Sequence, residues 1–428
     1  MRLNELSAHE AAARIASGDV SSEDLVRACL ARIAEREPSI KAFARVGAEA
    51  AIAAARDADT AVLSKDKDNP LRPLHGVPVA IKDIIETIDM PTEYNSRFYR
   101  GHQSGKDAAC VSMLRSAGAI LIGKTETIEF AAHGRLPVTR NPHDLTRTPG
   151  GSSSGSAAAV ADLMVPLTLG TQTGGSVIRP ASFCGVFGFK PTWGSISAEG
   201  AKLFSVTLDT IGWYARGIQD IALLAKIYEI SSAGEPTLTG LKLAYCETPY
   251  WDRATADGQT AFRSTLDKLR AAGASVTELE FGDEFSAIND LKERVMRGEG
   301  RVAFLNLHHK APDQLSPGIR ARMGRNDDLL LRKALDDAAM LRIAFDKTAE
   351  PFDAVLTPAA TGVAPEGLHY AGDPIFNGLW TLLHVPCLSL PVMTGEKGLP
   401  IGLQLVGPRY ADARVIAAGR GILRMLGR

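Results

Sequence analysis

The chain has 428 residues, 45% of them hydrophobic and 23% charged, and a net charge of −1, the balance of an ordinary soluble globular protein with a sizeable core. Near-neutral charge excludes bulk attraction to nucleic acid or anionic membranes, so neither is expected as a partner. The five cysteines are widely spaced and form no CxxC pair, which excludes a disulfide framework or a cysteine-rich zinc site and makes them candidate small buried hydrophobes.

The N-terminus carries acidic residues early and lacks an apolar core before a small-residue cleavage site, and no apolar span of about 18 residues follows, so cytoplasmic residence is expected. Ser7 with Glu10, and Ser21 with Asp24, mark two helix starts; Leu25, Cys29 and Ile33 then repeat at helical spacing. The period changes in GVPVAIKD, where Val77 to Ile81 reads as a buried strand ending at Lys82 and Asp83. A helix over Ala108 to Ser116, a strand over Ala119 to Ile122 and a helix over Ala157 to Leu163 follow, with a short apolar run from Val165 to Leu169 before Gly170. This alternation predicts an α/β fold.

Residues 212–230 read as an apolar helix, 231–239 as a softer segment and 241–246 as a strand. Residues 258–350 form the most charged and helical part, with helices over Ala261 to Ala272 and Asp328 to Lys347, suited to covering the core and shaping an entrance. Strands return at Ala354 to Leu356, Cys387 to Leu390 and Ile401 to Val406, before a last helix at 411–425. With no internal repeat or long linker, one catalytic domain over 1–428 is expected, with a helical N-terminal segment at about 1–60, a core at about 70–230 and a helical covering region at about 258–350.

Between Gly150 and Arg179 the chain reads GGSSSGSAAAVADLMVPLTLGTQTGGSVIR. Serine hydroxyls beside glycine-rich backbone suit a serine nucleophile and the N–H groups that hold an oxyanion, and a lysine at a strand end is a candidate base. Two other patterns are discounted. GAILIGKT at 118–125 satisfies the phosphate-loop expression, but its Ala-Ile-Leu-Ile centre is a buried strand. Gly151, Ser153 and Gly155 satisfy G-x-S-x-G, but the polar, turn-rich stretch from Asn141 to Pro149 is not the strand that such an elbow requires. The histidines show no compact ligand spacing, and neither a metal nor another cofactor is expected.

GVPVAIKD at 76–83, PGGSSSGSAAAVA at 149–161 and GTQTGGSVIRPASFCGVFGFKPTWG at 170–194, in this order and separation, resemble the amidase signature family. The resemblance implies an α/β amidase signature fold, a central mixed sheet flanked by helices on both faces. It implies a Ser-Ser-Lys triad with Ser176 as nucleophile, Ser152 as bridging serine after a cis peptide from Gly151, and Lys82 as base. Thr173, Gly174, Gly175 and Ser176 supply backbone donors in this reading. Ser153 is read as support for Ser152 or a cap, Ser154 and Ser156 as caps or turn hydroxyls, and Asp83 as orienting Lys82 or capping the next segment.

Arg179 stands three residues after Ser176, and Gln172 replaces an aspartate common in other branches. That spacing resembles the malonamidase-type branch, which implies a homodimer and an arginine that binds a substrate carboxylate; structural pairing of Arg179 is the other reading. GDPIFNGLWTLLHVPCLSLPV at 372–392 and GLPIGLQLVGP at 398–408 continue the resemblance and are read as pocket wall. The expected activity is hydrolysis of a small carboxamide, such as malonamate, to an acid and ammonia through an acyl-enzyme. The alternatives are the glutaminase subunit of a tRNA-dependent amidotransferase, a ureido-acid hydrolase of allophanate or biuret type, and, in a different class, a noncatalytic binding protein.

Overall fold

The computed structural model describes residues 2–63, 70–230, 240–324 and 327–428; the soft segment at 231–239 lies outside them. The strands are β1 (Phe43–Val46), β2 (Pro78–Lys82), β3 (Ile120–Thr125), β4 (Leu167–Gln172), β5 (Phe187–Lys190), β6 (Thr210–Ala215), β7 (Lys242–Tyr245), β8 (Ser275–Glu278), β9 (Ala354–Pro358), β10 (Cys387–Thr394) and β11 (Pro400–Val406). They form a mixed sheet in the order β1-β3-β2-β4-β6-β5-β10-β11-β9-β7-β8. β2 runs parallel to β3 and β4, whereas β4, β6, β5, β10, β11 and β9 pair antiparallel in succession. The helices Ser154–Ala161 and Ile178–Cys184 pack on each other and on the sheet, as do Ile218–Ile227 and Asp412–Met425. The result is the expected α/β fold, a mixed sheet with helices on both faces.

Burial explains the sequence patterns. Every residue of β2, β3, β4 and β6 is buried, so these strands carry no polar, solvent-facing side to mark their period. That is why residues 212–230 resemble one helix; the structure divides them into the end of β6 and the helix Ile218–Ile227, with extended Gly217 between. GAILIGKT contributes β3, and the buried Lys124 amine donates to Ile85 O at 2.8 Å and to Thr92 Oγ1. All five cysteines are buried. At the N-terminus, Glu10 accepts from Ser7 N–H at 3.0 Å and Ser21 Oγ from Asp24 N–H at 2.9 Å, starting the helices Ala8–Ser17 and Ser22–Ile40.

The helix Ser154–Ala161 is buried over residues 154–160, and at Gly155 the neighbouring backbone leaves no room for a side chain. A Cβ on Gly155 would lie 2.1 Å from Ala42 O and 2.5 Å from Glu126 N. The close approach seats the chain after Ser153 directly against β2, β3 and β4 and fixes where the preceding Gly150–Ser153 turn points. The covering region supplies the helices Ala256–Ala271, Ile288–Lys310 and Asp328–Ala349.

Candidate functional site

Lys82 closes the fully buried strand β2, and its amine donates to Ser152 Oγ at 2.8 Å and to Thr171 Oγ1 at 2.7 Å. Burial pushes the amine well below the usual lysine range, against the attraction of the buried Asp209 carboxylate. A neutral amine can accept a proton from a serine, which an ordinary protonated lysine cannot. The Gly151–Ser152 peptide is cis. Ser176 lies on the turn between β4 and the helix Ile178–Cys184, is 8% exposed, and shares a cavity wall with Ser152. Among the described residues no hydrogen bond joins the two hydroxyls.

The remaining serines hold the frame. Ser153 Oγ donates to Thr171 O at 3.1 Å and accepts from Thr171 N–H at 3.2 Å, binding the turn to β4 beside the Lys82 amine. Ser154 Oγ donates to Gly150 O at 2.7 Å and Ser156 Oγ to Leu169 O at 2.9 Å. Asp83 has no hydrogen bond to Lys82 among the described residues; its carboxylate lies 3.5 Å from Lys124 Nζ and accepts from Glu93 N–H, in the segment that follows, at 3.1 Å. Gln172 is not among the residues that line the cavity. Its Oε1 accepts from Val177 N–H at 2.8 Å and Ile178 N–H at 3.0 Å, and its Nε2 donates to Thr381 Oγ1 at 3.1 Å. Gln172 therefore satisfies donors at the start of the Ile178–Cys184 helix, while Thr381 Oγ1 in turn donates to Gly174 O at 2.9 Å.

Thr173, Gly174, Gly175 and Ser176 line a cavity of about 310 Å³ with Ser152 and Arg179, the size of a small-molecule site. None of the four backbone N–H groups donates to a carbonyl or side chain among the described residues, so they are free for an oxygen in the cavity. Arg179 is buried, and one Nη donates to Gly151 O at 2.6 Å; its Nε and other Nη have no partner. Burial lowers its guanidinium to about 10, still a cation at neutral pH. No carboxylate among the described residues pairs with it, so the structural pairing considered for Arg179 reduces to one backbone carbonyl.

Sequence reasoning missed several wall residues. Lys292 and Glu293, paired at 2.7 Å, and Met296 come from one helix of the covering region, Phe204 from the loop before β6, and His133 and Tyr370 from other loops. Thr171 carried a signal, since it stands beside Gln172 in GTQTGGS; Lys292 carried none. Among the described residues no group of His, Cys, Asp and Glu could hold a metal ion, and no helix is long and apolar enough to cross a membrane.

A buried lysine whose amine is pushed well below the usual range and bonded to one serine, with a second serine on the wall of the same cavity as the first, on this mixed sheet, is the arrangement of a hydrolase acting on amide C–N bonds. A model of the Amidase family matches residues 24–416, and the chain belongs to that family. It is 31% identical to the A subunit of glutamyl-tRNA(Gln) amidotransferase from Chloroflexus aurantiacus, over 99% of this chain and 97% of the relative. Among solved structures, the A subunit of the same enzyme from Thermotoga maritima matches with a TM-score of 0.79 and 27% identity, over 99% of this chain and 95% of that one. A chain from a vestigial protein complex described as revealing the origins of an s-triazine catabolic enzyme matches with a TM-score of 0.88 and 26% identity, over 98% of both.

These relatives correct the malonamidase-type assignment: whole-chain similarity points to the amidotransferase A subunits. The assignment rests on the Arg179 spacing, a local feature that whole-chain similarity outweighs. Gln172, which in sequence counts against the amidotransferase reading, serves the neighbouring helix.

Proposed function

We propose that this protein releases ammonia from the side-chain amide of glutamine, as the glutaminase subunit of a tRNA-dependent amidotransferase. The observation that carries the chemistry is the Lys82–Ser152 hydrogen bond at the wall of the cavity that also holds Ser176. Similarity to amidotransferase A subunits over 97% of their length supports the substrate. Ser152 takes the Ser176 proton while passing its own to the Lys82 amine, and Ser176 Oγ attacks the amide carbon. The N–H groups of residues 173–176 hold the oxyanion, the nitrogen leaves with a returned proton as ammonia, and water cleaves the acyl-enzyme by the same proton path. Arg179 holds the substrate carboxylate with the two nitrogens that have no protein partner. The whole chain acts as one catalytic unit in this reading.

Ammonia release from glutamine, enhanced by a copurifying partner and abolished in Ser176→Ala, tests the proposal; a purified chain that ignores glutamine with and without its partner overturns the substrate. The likeness to the chain described with the origins of an s-triazine catabolic enzyme, at the higher TM-score, favours a second reading as a small-molecule amide hydrolase, for which ureido acids are the substrates to try. Biuret and allophanate in the same ammonia assay separate the two.

A further inference from the structure

Two buried or half-buried carboxylates stand in series behind the glycine loop, and neither touches the cavity. Asp209, just before β6, accepts from Thr173 Oγ1 with one oxygen and from the backbone N–H groups of Phe204 and Ser205 with the other, the latter at 3.2 Å. Glu299, on the helix Ile288–Lys310, accepts from Ser205 Oγ and Thr207 N–H with one oxygen and from Thr207 Oγ1 at 2.7 Å with the other. Residues 204–208 therefore lie between two acceptors, one reaching back to the loop and one forward to the covering helix. His384 adds a bond to Thr207 O at 2.7 Å.

The helix itself is pressed onto this segment. A Cβ on Gly300 would come 2.2 Å from Phe204 Cε2, and Phe204 lines the cavity. The same helix carries Lys292, Glu293 and Met296 in the cavity wall. Asp209 accepts two hydrogen bonds from this segment and one from Thr173, and Glu299 accepts three from the segment. What the arrangement gives is a rigid connection, since charge-assisted bonds to a carboxylate are short and directional.

We propose that Asp209 and Glu299 are positioning residues for the oxyanion site: in series they fix Thr173, and through it the backbone donors of residues 173–176, to the helix Ile288–Lys310. This rests on the amide-hydrolase reading, in which those donors stabilise the tetrahedral intermediate. Such donors act only when aimed at the place the oxyanion will occupy, and the carboxylates supply the aim without touching substrate. A shift of the covering helix, on which part of the cavity wall also rides, thereby reaches the loop.

The test uses an alkyl fluorophosphonate, which needs no knowledge of the natural substrate. The Ser176 oxygen bonds to phosphorus, fluoride leaves, the serine proton passes to the Ser152–Lys82 pair, and the phosphoryl oxygen occupies the oxyanion site. Thr173→Val and Asp209→Ala are each expected to slow labelling about ten- to a hundredfold, and the double variant to be no slower than the slower single one, because both cut the same link. Glu299→Ala is expected to slow it about tenfold, again without multiplying the Thr173→Val effect. Asp209→Asn keeps an oxygen for the two backbone donors and is expected to recover most of the rate. With an amide substrate the loss falls on kcat and leaves KM within about twofold, a split that loosened packing would not give.

Single-variant factors that multiply in the double variants, or unchanged labelling in Thr173→Val and Glu299→Ala, overturn the positioning roles; those two substitutions serve if Asp209→Ala does not fold. Wild-type protein that is not labelled at Ser176 overturns the hydrolase reading and the inference with it. Labelling at Ser176 with unaltered variants overturns the inference alone.

Discussion

Lys82 Nζ lies 2.8 Å from Ser152 Oγ, with both groups buried, so the base and the bridging hydroxyl of the proposed relay are already joined before substrate arrives. Loss of either end is expected to stop turnover. Lys82→Ala and Ser176→Ala should each lower kcat by more than about 10³-fold, and Ser152→Ala should leave only slow residual turnover. Single-turnover acylation with mass spectrometry of the adduct checks this; retained acyl-enzyme formation in Ser176→Ala would exclude it as nucleophile.

The Lys82 amine also sets a pH dependence of stability. Its folded pKa is lowered by burial, so between that value and the ordinary one near 10.5 the unfolded chain binds a proton that the folded chain does not. More protons on the unfolded side means that this contribution to stability rises with pH through that window and is unfavourable below it. Wild type should therefore gain on Lys82→Met as pH is raised from 7 toward 10, measured as the difference in urea midpoints. A difference that stays flat or shrinks with pH would show that the lysine is protonated in the folded state. Activity has the matching sign: the acid limb of kcat falls as the amine becomes charged.

Arg179 offers two unpartnered nitrogens to the cavity. Arg179→Met is expected to reduce kcat/KM for carboxylate-bearing amides by about tenfold to a hundredfold, the cost of a charged hydrogen bond, and to affect neutral amides much less. Equal losses on both substrate classes would assign the side chain to holding Gly151 O alone.

The site was readable in sequence where its chemistry is local, and unreadable where it depends on the sheet. Lys82, Ser152 and Ser176 stand out through three short motifs that resemble the amidase signature family, and the structure joins Lys82 to Ser152 and sets Ser152 and Ser176 on one cavity wall. Asp209 looks like any aspartate before a strand, and its link to Thr173 exists only because Gln172 pairs with Thr210 across β4 and β6. Residues 212–215 were hidden for a related reason: a strand buried on both faces loses the alternation that distinguishes it from an apolar helix. Gln172 was visible only as an unusual residue inside a motif; what it supports, the N–H groups of Val177 and Ile178 and the Thr381 hydroxyl, depends on the turn and the distant helix brought to it.

That support gives Gln172 a measurable part in stability. Gln172→Leu keeps the volume but strands two buried N–H donors at the start of the Ile178–Cys184 helix, at a cost of about 1–3 kcal/mol in denaturant unfolding. Substrate preference should stay where it was; a changed ranking of amide substrates would give Gln172 a part in the cavity as well.

Gly155 tests the packing that presents Ser152. Alanine there would bring a methyl within 2.1 Å of Ala42 O and 2.5 Å of Glu126 N, both backbone atoms of neighbouring segments that no side-chain rotation can clear. Relief requires the helix Ser154–Ala161 to move off the sheet, and the Gly150–Ser153 turn moves with it. Gly155→Ala is therefore expected to cost about 3 kcal/mol, the upper range for forcing an extra carbon into a filled core, and to lower kcat in the fraction that remains folded. Gly174→Ala is the control, since its added carbon meets only Pro374 Cβ at 3.7 Å and should leave stability within about 1 kcal/mol. Equal unfolding midpoints for the two variants would show that the helix tolerates displacement and that Ser152 is held by its hydrogen bond to Lys82 rather than by the packing behind it.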